Sequence, residues 1–330
     1  MSDSDAAAPL LEIDHLTVHF PGGRSGFWGQ ERLVVHAVDN VSLAVMPGET
    51  LGLVGESGSG KSTIGRAILR QLPTTQGRIR FRGEDITKVT GEPLRNLRRH
   101  MQMVFQDPYA SLNPRQRVID IISEPLIVHG LARHRKDTAA KVADLLQRVG
   151  MPADAASRYP HAFSGGQRQR IGIARALALS PEFIVADEPV SALDVSIRAQ
   201  VVNLLMDLQR DCGLTYLFIA HDLATVRHIS RRIAILYAGK LMELADRDAI
   251  YERPRHPYTE ALLSAIPIPD PVAQRNRRRL VNDGEPPDPL HPLPGCRYQS
   301  RCPYATAQCR SVEPPLEQKA PGQWAACWNR

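Results

Sequence analysis

Nine consecutive residues have the types and spacing of a loop that binds the phosphates of a nucleoside triphosphate. They are Gly55, Glu56, Ser57, Gly58, Ser59, Gly60, Lys61, Ser62 and Thr63. Glycines let such a loop turn its backbone N–H groups inward and approach the phosphates closely. Lys61 supplies a point charge to the β- and γ-phosphates, and the Ser62 hydroxyl suits Mg²⁺, which prefers oxygen ligands. This stretch, the phosphate loop, therefore predicts a triphosphate site.

The residues on both sides of the phosphate loop predict the elements that hold it. Residues 50–54 are apolar and indicate a buried strand. Residues 63–70 are compatible with a helix, whose positive dipole end would face the phosphates. We therefore expect a strand, the loop and a helix in succession, which is the arrangement that this chemistry needs.

A second chemical centre follows the apolar residues 183–186, where Asp187 and Glu188 adjoin at the predicted strand end. Ligands of α/β sheets bind at the carboxyl ends of strands. Asp187 would hold Mg²⁺, directly or through water, and Glu188 would polarise the attacking water. The alternative is a structural ion-pair partner, since buried carboxylates also serve that role.

Two further polar segments are candidates for the same site. The first is Ser164, Gly165, Gly166 and Gln167, followed by an apolar helical pattern. Ser164 is a good N-cap, and the positive helix end with its glycines favours an anion. The second is His221, which follows an apolar strand and would donate a hydrogen bond to the γ-phosphate. A satisfied structural histidine is the alternative.

Composition limits the kinds of binding partner and the cellular compartment that are expected for this chain. The chain has 330 residues and a net charge of +6 from scattered basic residues, so nucleic acid is not the expected partner. The first nine residues lack the basic and apolar regions of a signal peptide, and no apolar run reaches 18 residues. We therefore expect a soluble protein of the cytosol.

Four of the five cysteines crowd into the last 35 residues, after a proline-rich stretch at 267–294 that is typical of an extended linker. They are Cys296, Cys302, Cys309 and Cys327. Four thiolates suffice for one zinc ion or an iron–sulfur cluster, and the spacing does not choose between them. Free thiols or disulfides remain the third possibility. In a reducing compartment, a metal site is expected in preference to disulfides.

Together these motifs resemble the ATP-binding cassette ATPases of ABC transporters. The matching residues, in order, are the phosphate loop, Gln106, Ser164 to Gln167, Asp187, Glu188, Ser191 to Asp194 and His221. The resemblance covers about residues 11–250. It implies bound ATP with Mg²⁺, and hydrolysis with Glu188 as base and with Lys61, Gln106 and His221 as further catalytic residues.

The resemblance also implies contacts beyond one chain. Two cassettes pair head to tail, so residues 164–167 of one cap the ATP on the phosphate loop of the other. Gln106 senses the γ-phosphate and Mg²⁺, and Asp194 belongs to the same nucleotide site. An aromatic residue stacks on adenine, and Phe20 matches it best. Phe163 stands where the family usually has leucine, and we expect this change to be tolerated because both are apolar packing residues.

Two longer segments, residues 104–115 and 255–263, look like the ATPase subunits of dipeptide and oligopeptide importers. This implies a similar second ATPase subunit in a heterodimer, two membrane-spanning permease subunits and an extracytoplasmic substrate-binding protein. It also implies a peripheral place on the cytoplasmic face of the membrane and a [4Fe-4S] cluster on the four cysteines. Related importers carry nickel, glutathione or other small solutes, so the substrate stays open.

The predicted fold is an α/β ABC-type P-loop ATPase with an antiparallel β subdomain and a helical insert. A disordered N-terminus is expected over residues 1–10 and the ATPase domain over 11–250, with the insert at about 107–180. Residues 251–330 form a proline-rich extension with the four-cysteine metal site. A soluble cassette acting on ribosomes or DNA is the rival of another class. It is disfavoured because the chain has one cassette and no basic insertion.

Overall fold

The computed structural model describes residues 8–25, 31–267, 270, 284–285 and 287–330. Most of the predicted disordered N-terminus and most of the proline-rich linker lie outside these residues. Among the helices that are described, none combines the length and apolar composition needed to cross a lipid bilayer.

Strands and helices alternate through most of the described chain. The strands are β1 (Leu11–Ser25), β2 (Glu31–Val45), β3 (Thr50–Val54), β4 (Gln76–Phe81), β5 (Glu84–Asp85), β6 (Met101–Val104), β7 (Phe183–Asp187), β8 (Thr215–Ala220), β9 (Arg232–Tyr237), β10 (Lys240–Asp246), β11 (Glu317–Ala320) and β12 (Gln323–Ala325). The α-helices are α1 (Lys61–Ile68), α2 (Gly91–His100), α3 (Val118–Val128), α4 (Ala139–Arg148), α5 (Gly165–Leu177), α6 (Val195–Cys212), α7 (Leu223–Ile229), α8 (Arg247–Glu252), α9 (Pro257–Ser264) and α10 (Ala307–Ser311). Strand β3 coincides with the strand predicted at residues 50–54, and α1 is the helix predicted at 63–70, which begins two residues earlier, at Lys61.

One compact unit comprises Val45–Thr50 and Lys88–Ile219. Its strands β6, β7 and β8 lie side by side and parallel, with Met101 opposite Phe183 and Phe183 opposite Thr215. Every residue of β7 is buried, as in parallel sheets that are covered on both faces. Because the strands run in one direction, the residues that follow β6 and β7 emerge at the same edge.

The helical region between β6 and β7 is organised by apolar residues at helical spacing. Val118 and Ile122 of α3 and Val142 and Leu146 of α4 are fully buried. Helices α3 and α4 both pack against α5. Burial of these apolar faces explains why the chain forms helices between β6 and β7.

The other compact unit comprises Ala8–Ala44, Leu51–Thr87 and Ala220–Arg330. Its first sheet has the order β2-β1-β4-β5. Strands β1 and β4 are antiparallel, with Leu11 opposite Phe81. Its second sheet runs β11-β12-β10-β9-β3, with β3 parallel to β9 and the other pairs antiparallel. The last two strands of the chain thus continue the sheet that carries β3.

A buried carboxylate attaches the C-terminal residues to this sheet. Glu243 of β10 is fully buried and accepts the N–H groups of Arg255 and His256 at 2.8 and 2.9 Å. It also accepts a hydrogen bond from the Gln323 side chain of β12 at 2.9 Å. Burial raises the pKa of Glu243, and these hydrogen bonds oppose that rise.

His256 caps α9 from a buried position, since its Nδ1 accepts the N–H of Tyr258 at 3.0 Å. Burial lowers the pKa of His256 from 6.5 to about 3, so the ring is neutral near pH 7. The unfolded chain therefore takes up a proton first as the pH falls. The stability due to this group is complete above pH 6.5 and is lost as the pH decreases towards 3.

We predict that acidification destabilises the protein through His256. The free energy of unfolding should fall by about 1.4 kcal/mol for each pH unit below the ordinary histidine pKa. Denaturant unfolding near pH 7.5 and near pH 5.5 measures this loss. His256→Asn is the matched control, because asparagine still caps a helix but does not titrate. An equal pH dependence in wild type and His256→Asn would contradict the prediction.

Candidate nucleotide-binding site

The phosphate loop joins β3 to α1, and two of its glycines are required by close packing. A Cβ on Gly60, whose φ is +101°, would lie 2.3 Å from the Ala37 carbonyl oxygen. A Cβ on Gly55 would lie 2.1 Å from the Leu236 carbonyl oxygen. Real Cβ atoms do not approach oxygen so closely, so larger residues would displace the loop. The glycines predicted to bind phosphate thus also fix the loop against its neighbours.

Lys61 begins α1 directly after the loop. Its side chain is buried, and Nζ donates to the carbonyl oxygens of Gly55 and Glu56, both at 2.8 Å. Ser62 and Thr63 occupy the first turn of the same helix, where backbone N–H groups point out of the helix end. A cation and a helix N-terminus are therefore held together beside a turn of backbone, which suits a polyphosphate.

The two carboxylates stand at the end of β7. Asp187 is the last strand residue and is 2% exposed. Glu188 has φ of +45°, a left-handed conformation that is unusual for this residue type. Its N–H donates to the Ile219 carbonyl at 3.0 Å, and its carbonyl accepts the Ser191 hydroxyl at 3.0 Å. These bonds hold the strained residue, and strain of this kind is concentrated at functional sites.

Gln106, two residues beyond β6, meets the second carboxylate. Its Nε2 donates to Oε2 of Glu188 at 3.1 Å. The structure thus brings together two residues that the sequence predicted to share one site. Because the amide donates to the carboxylate, it orients the oxygen that would accept a proton from water.

Ser164 caps α5, as predicted. Its hydroxyl accepts the Gln167 N–H at 3.4 Å, and the Gln167 side chain accepts the Ser164 N–H at 3.1 Å. Gly166 is required here, since a Cβ would lie 2.4 Å from the Ile197 side chain. Phe163 is 5% exposed with the Arg158 guanidinium 4.7 Å from its ring centre, so it is a packing residue. Ser164 itself is exposed at the positive end of the helix.

The remaining predicted residues lie on separate elements. His221 is exposed and follows β8, and the next residue, Asp222, caps α7 by accepting the Ala224 N–H at 2.9 Å. Asp194 is exposed at the start of α6. Phe20 lies in β1 and is half-buried.

The four cysteines of the C-terminal segment lie near enough to one another for the other three thiols to affect the pKa of Cys296. All are free thiols; Cys296, Cys309 and Cys327 are buried, and Cys302 is half-buried. Burial and the other three thiols raise the pKa of Cys296 to about 12. Burial alone would raise the pKa of Cys309, but hydrogen bonds from Thr306 and Asn329 to its sulfur lower it.

Two family models match the chain. The model described as "ABC transporter" matches residues 38–191. The model described as "Oligopeptide/dipeptide transporter, C-terminal region" matches residues 242–309. A putative oligopeptide transport ATP-binding protein of Bacillus subtilis, YkfD, is 51% identical over 319 residues, which are 97% of this chain and 95% of that protein. The chain belongs to the ATP-binding proteins of ABC transporters.

Other relatives and solved structures agree with this family. The oligopeptide transport ATP-binding protein OppF of Salmonella typhimurium is 50% identical over 93% of this chain and 92% of its own length. A dimeric post-hydrolysis structure of the cassette MJ0796 with ADP and Pi has a TM-score of 0.61 and 28% identity, covering 72% of this chain and 98% of that one. The chain is thus an ATP-hydrolysing cassette of an oligopeptide/dipeptide-type transporter. As such, it works with membrane permease subunits and a second cassette.

Sequence reasoning missed two features of this ABC cassette. One is the reciprocal bond of Gln167, which the spacing from Ser164 to Gln167 could have indicated as a capping box. The other is a pair of contacts made by Glu56 of the phosphate loop with Tyr258 and Arg301. No local pattern signals that contact, since Arg301 lies 245 positions away.

We predict that Glu188→Gln binds ATP but hardly hydrolyses it. The amide keeps the size of the side chain but cannot accept the proton of water, so turnover should fall by a factor of about 100 or more. Phosphate release and binding of a fluorescent ATP analogue measure the two properties. Glu84→Gln, at an exposed carboxylate of β5, is the control. Unchanged turnover in Glu188→Gln would contradict the role of base.

Proposed function

We propose that this cassette supplies the energy for importing oligopeptides or dipeptides across the cytoplasmic membrane, from its cytoplasmic face. The observation that carries this proposal is the succession of an ABC transporter match and an oligopeptide/dipeptide transporter match in one chain. Relatives named for oligopeptide transport align with nearly its whole length. We assign the ATPase domain to about residues 11–250 and the extension to 251–330.

The chemistry is divided among residues that the sequence predicted. Ser57, Gly58, Ser59 and the other loop residues cradle the phosphates of ATP, and Lys61 neutralises their charge. When Mg²⁺ is bound, Ser62, Gln106 and Asp187 would hold it through oxygen ligands. Glu188 takes the proton of the attacking water while His221 binds the γ-phosphate. In support, Asp187 is buried at a strand end and Glu188 is oriented by Gln106 at 3.1 Å.

A second cassette completes the nucleotide site. We assign Ser164, Gly165, Gly166 and Gln167 to the ATP held by the partner cassette, together with Asp194. The exposed N-terminus of α5 supports this, because its first turn holds no acidic residue and a helix N-terminus attracts phosphate. We further propose that the partner is a similar but different ATPase and that a substrate-binding protein delivers the peptide.

The permease docks on the helical region of the first unit. Several large apolar side chains are exposed there, near Gln106 in sequence and along α3. They are Phe105, Tyr109, Ile127, Val128 and Leu131, between 38% and 59% exposed. Exposed apolar groups of this number mark an interaction surface. Movement of Gln106 with the γ-phosphate would then be passed to the membrane subunits.

We predict peptide-dependent hydrolysis in the assembled transporter. The tagged cassette should co-purify with membrane-spanning subunits, and in proteoliposomes the peptide-loaded binding protein should raise ATP hydrolysis several-fold over the unloaded protein. Glu188→Gln in the same complex controls for contaminating ATPases. Stimulation by nickel or glutathione instead of peptide would reassign the substrate. Co-purification with ribosomes and no membrane protein would contradict transport.

We also propose that the four cysteines hold a [4Fe-4S] cluster. No three of their sulfurs lie within 4.8 Å of one another among the described residues. Four sulfurs around one zinc ion would lie ~3.8 Å apart, given zinc–sulfur bonds of about 2.3 Å. The sulfurs that ligate a [4Fe-4S] cluster lie farther apart than those that ligate a single zinc ion. Bound there, it would crosslink Cys296, Cys302, Cys309 and Cys327 within a segment that has little apolar core of its own.

The metal prediction is tested on anaerobically purified protein. We expect about four irons per chain with matching sulfide, and broad absorption near 400 nm. Cys302→Ser should lose the absorption and most of the iron. A colourless wild-type protein with about one zinc would contradict the cluster and leave the ATPase function unaffected.

A further inference from the structure

Glu56, the second residue of the phosphate loop, is held by the C-terminal extension through its side chain. Its Oε2 accepts a hydrogen bond from Nη1 of Arg301 at 2.9 Å. The Arg301 side chain is 9% exposed and that of Glu56 is 31% exposed, so this ion pair is shielded on the arginine side. Charge-assisted bonds that are shielded from water are stronger than surface pairs.

The backbone of Glu56 is held as well. Its N–H donates to the hydroxyl of Tyr258 at 3.1 Å, and Tyr258 is fully buried in α9. Its carbonyl accepts Nζ of Lys61 at 2.8 Å. One residue therefore links the extension on one side to the phosphate-binding lysine on the other.

Arg301 is itself fixed by a buried aromatic group. Its Nη1 also donates to the hydroxyl of Tyr237 at 3.3 Å, and its N–H donates to the carbonyl of Tyr298 at 3.1 Å. The rings of Tyr237, Tyr258 and Tyr298 pack with centres 4.6 to 5.3 Å apart. Arg301 directly precedes Cys302, so its backbone belongs to the four-cysteine segment.

We propose that Arg301 is a positioning residue for ATP binding: it holds Glu56, and through Glu56 the phosphate loop, in the form that accepts the triphosphate. The arginine does not touch the nucleotide in this scheme. The four-cysteine segment then contributes to ATP affinity, and its role extends beyond its own folding. This inference rests on the phosphate loop being the ATP site.

The test compares substitutions in the full-length chain. Arg301→Gln should weaken binding of a fluorescent ATP analogue about tenfold, the loss of one charged hydrogen bond. The apparent KM for ATP should rise by a similar factor while kcat changes little, because the reacting atoms are not touched. Arg301→Lys, which keeps the charge, should recover part of the affinity. Glu56→Gln should have the same effect as Arg301→Gln, and the double variant should be no worse than either.

Arg330→Gln is the matched control for loosened docking of the extension. Arg330 lies in the same extension, and its side chain, 31% exposed, pairs with Glu260 of α9. Arg330→Gln should lower the thermal unfolding midpoint but keep ATP affinity within about twofold. Equal loss of affinity in Arg330→Gln and Arg301→Gln would overturn the proposal, because the effect would then come from docking.

Two other results would also overturn it. One is ATP affinity in folded Arg301→Gln within about twofold of wild type. The other is additive losses in the Glu56 and Arg301 double variant, which would show that the two residues act separately. Lys61→Ala tests the premise. If it bound ATP as tightly as wild type, the phosphate loop would not be the ATP site and the inference would fail with it.

Discussion

The second compact unit depends on one buried carboxylate. Glu243 lies in β10 with no exposed surface, and it accepts bonds from the backbone after α8 and from β12. A buried carboxylate without these donors would be strongly unfavourable, so the sequence segments that provide them must come together when it is buried. They place His256, His256 caps the helix of Tyr258, and Tyr258 reaches Glu56 of the phosphate loop. A series of polar contacts thus connects Glu243 to the phosphate loop.

Several residues assigned to the nucleotide site are also constrained by packing or backbone conformation. Gly55 and Gly60 are needed for phosphate approach, and a Cβ at either would also strike a neighbouring carbonyl. Glu188 combines a left-handed backbone with a hydrogen bond to Gln106. Its direction is therefore set by the backbone and by the amide together. Substitution of these residues would therefore disturb both the local packing and the chemistry assigned to them.

The site residues could be predicted from the sequence wherever they form a motif of consecutive residues. The phosphate loop, the end of β7 and the capped start of α5 all combine a short motif with a strand or helix pattern. The contacts of Glu56 could not be predicted, because pairing across 245 positions depends on the complete fold. The cysteine spacing predicts four candidate ligands but does not identify a metal, because sulfur-to-sulfur distances are set by backbone turns. The role of Phe20 in adenine binding stays a prediction, as its half-buried place in β1 does not decide it.

The extension also adds two strands to the edge of a sheet. Strand β12 pairs with β10 from Glu243 to Ala245, and β11 pairs with β12 in turn. Without them, β10 would present a nearly fully buried, largely apolar strand with unpaired N–H and carbonyl groups at an open edge. Such edges recruit strands from other molecules, and that leads to aggregation. The extension that brings Arg301 to the phosphate loop therefore also covers the edge of β10, so a cassette shortened before β11 would expose that edge.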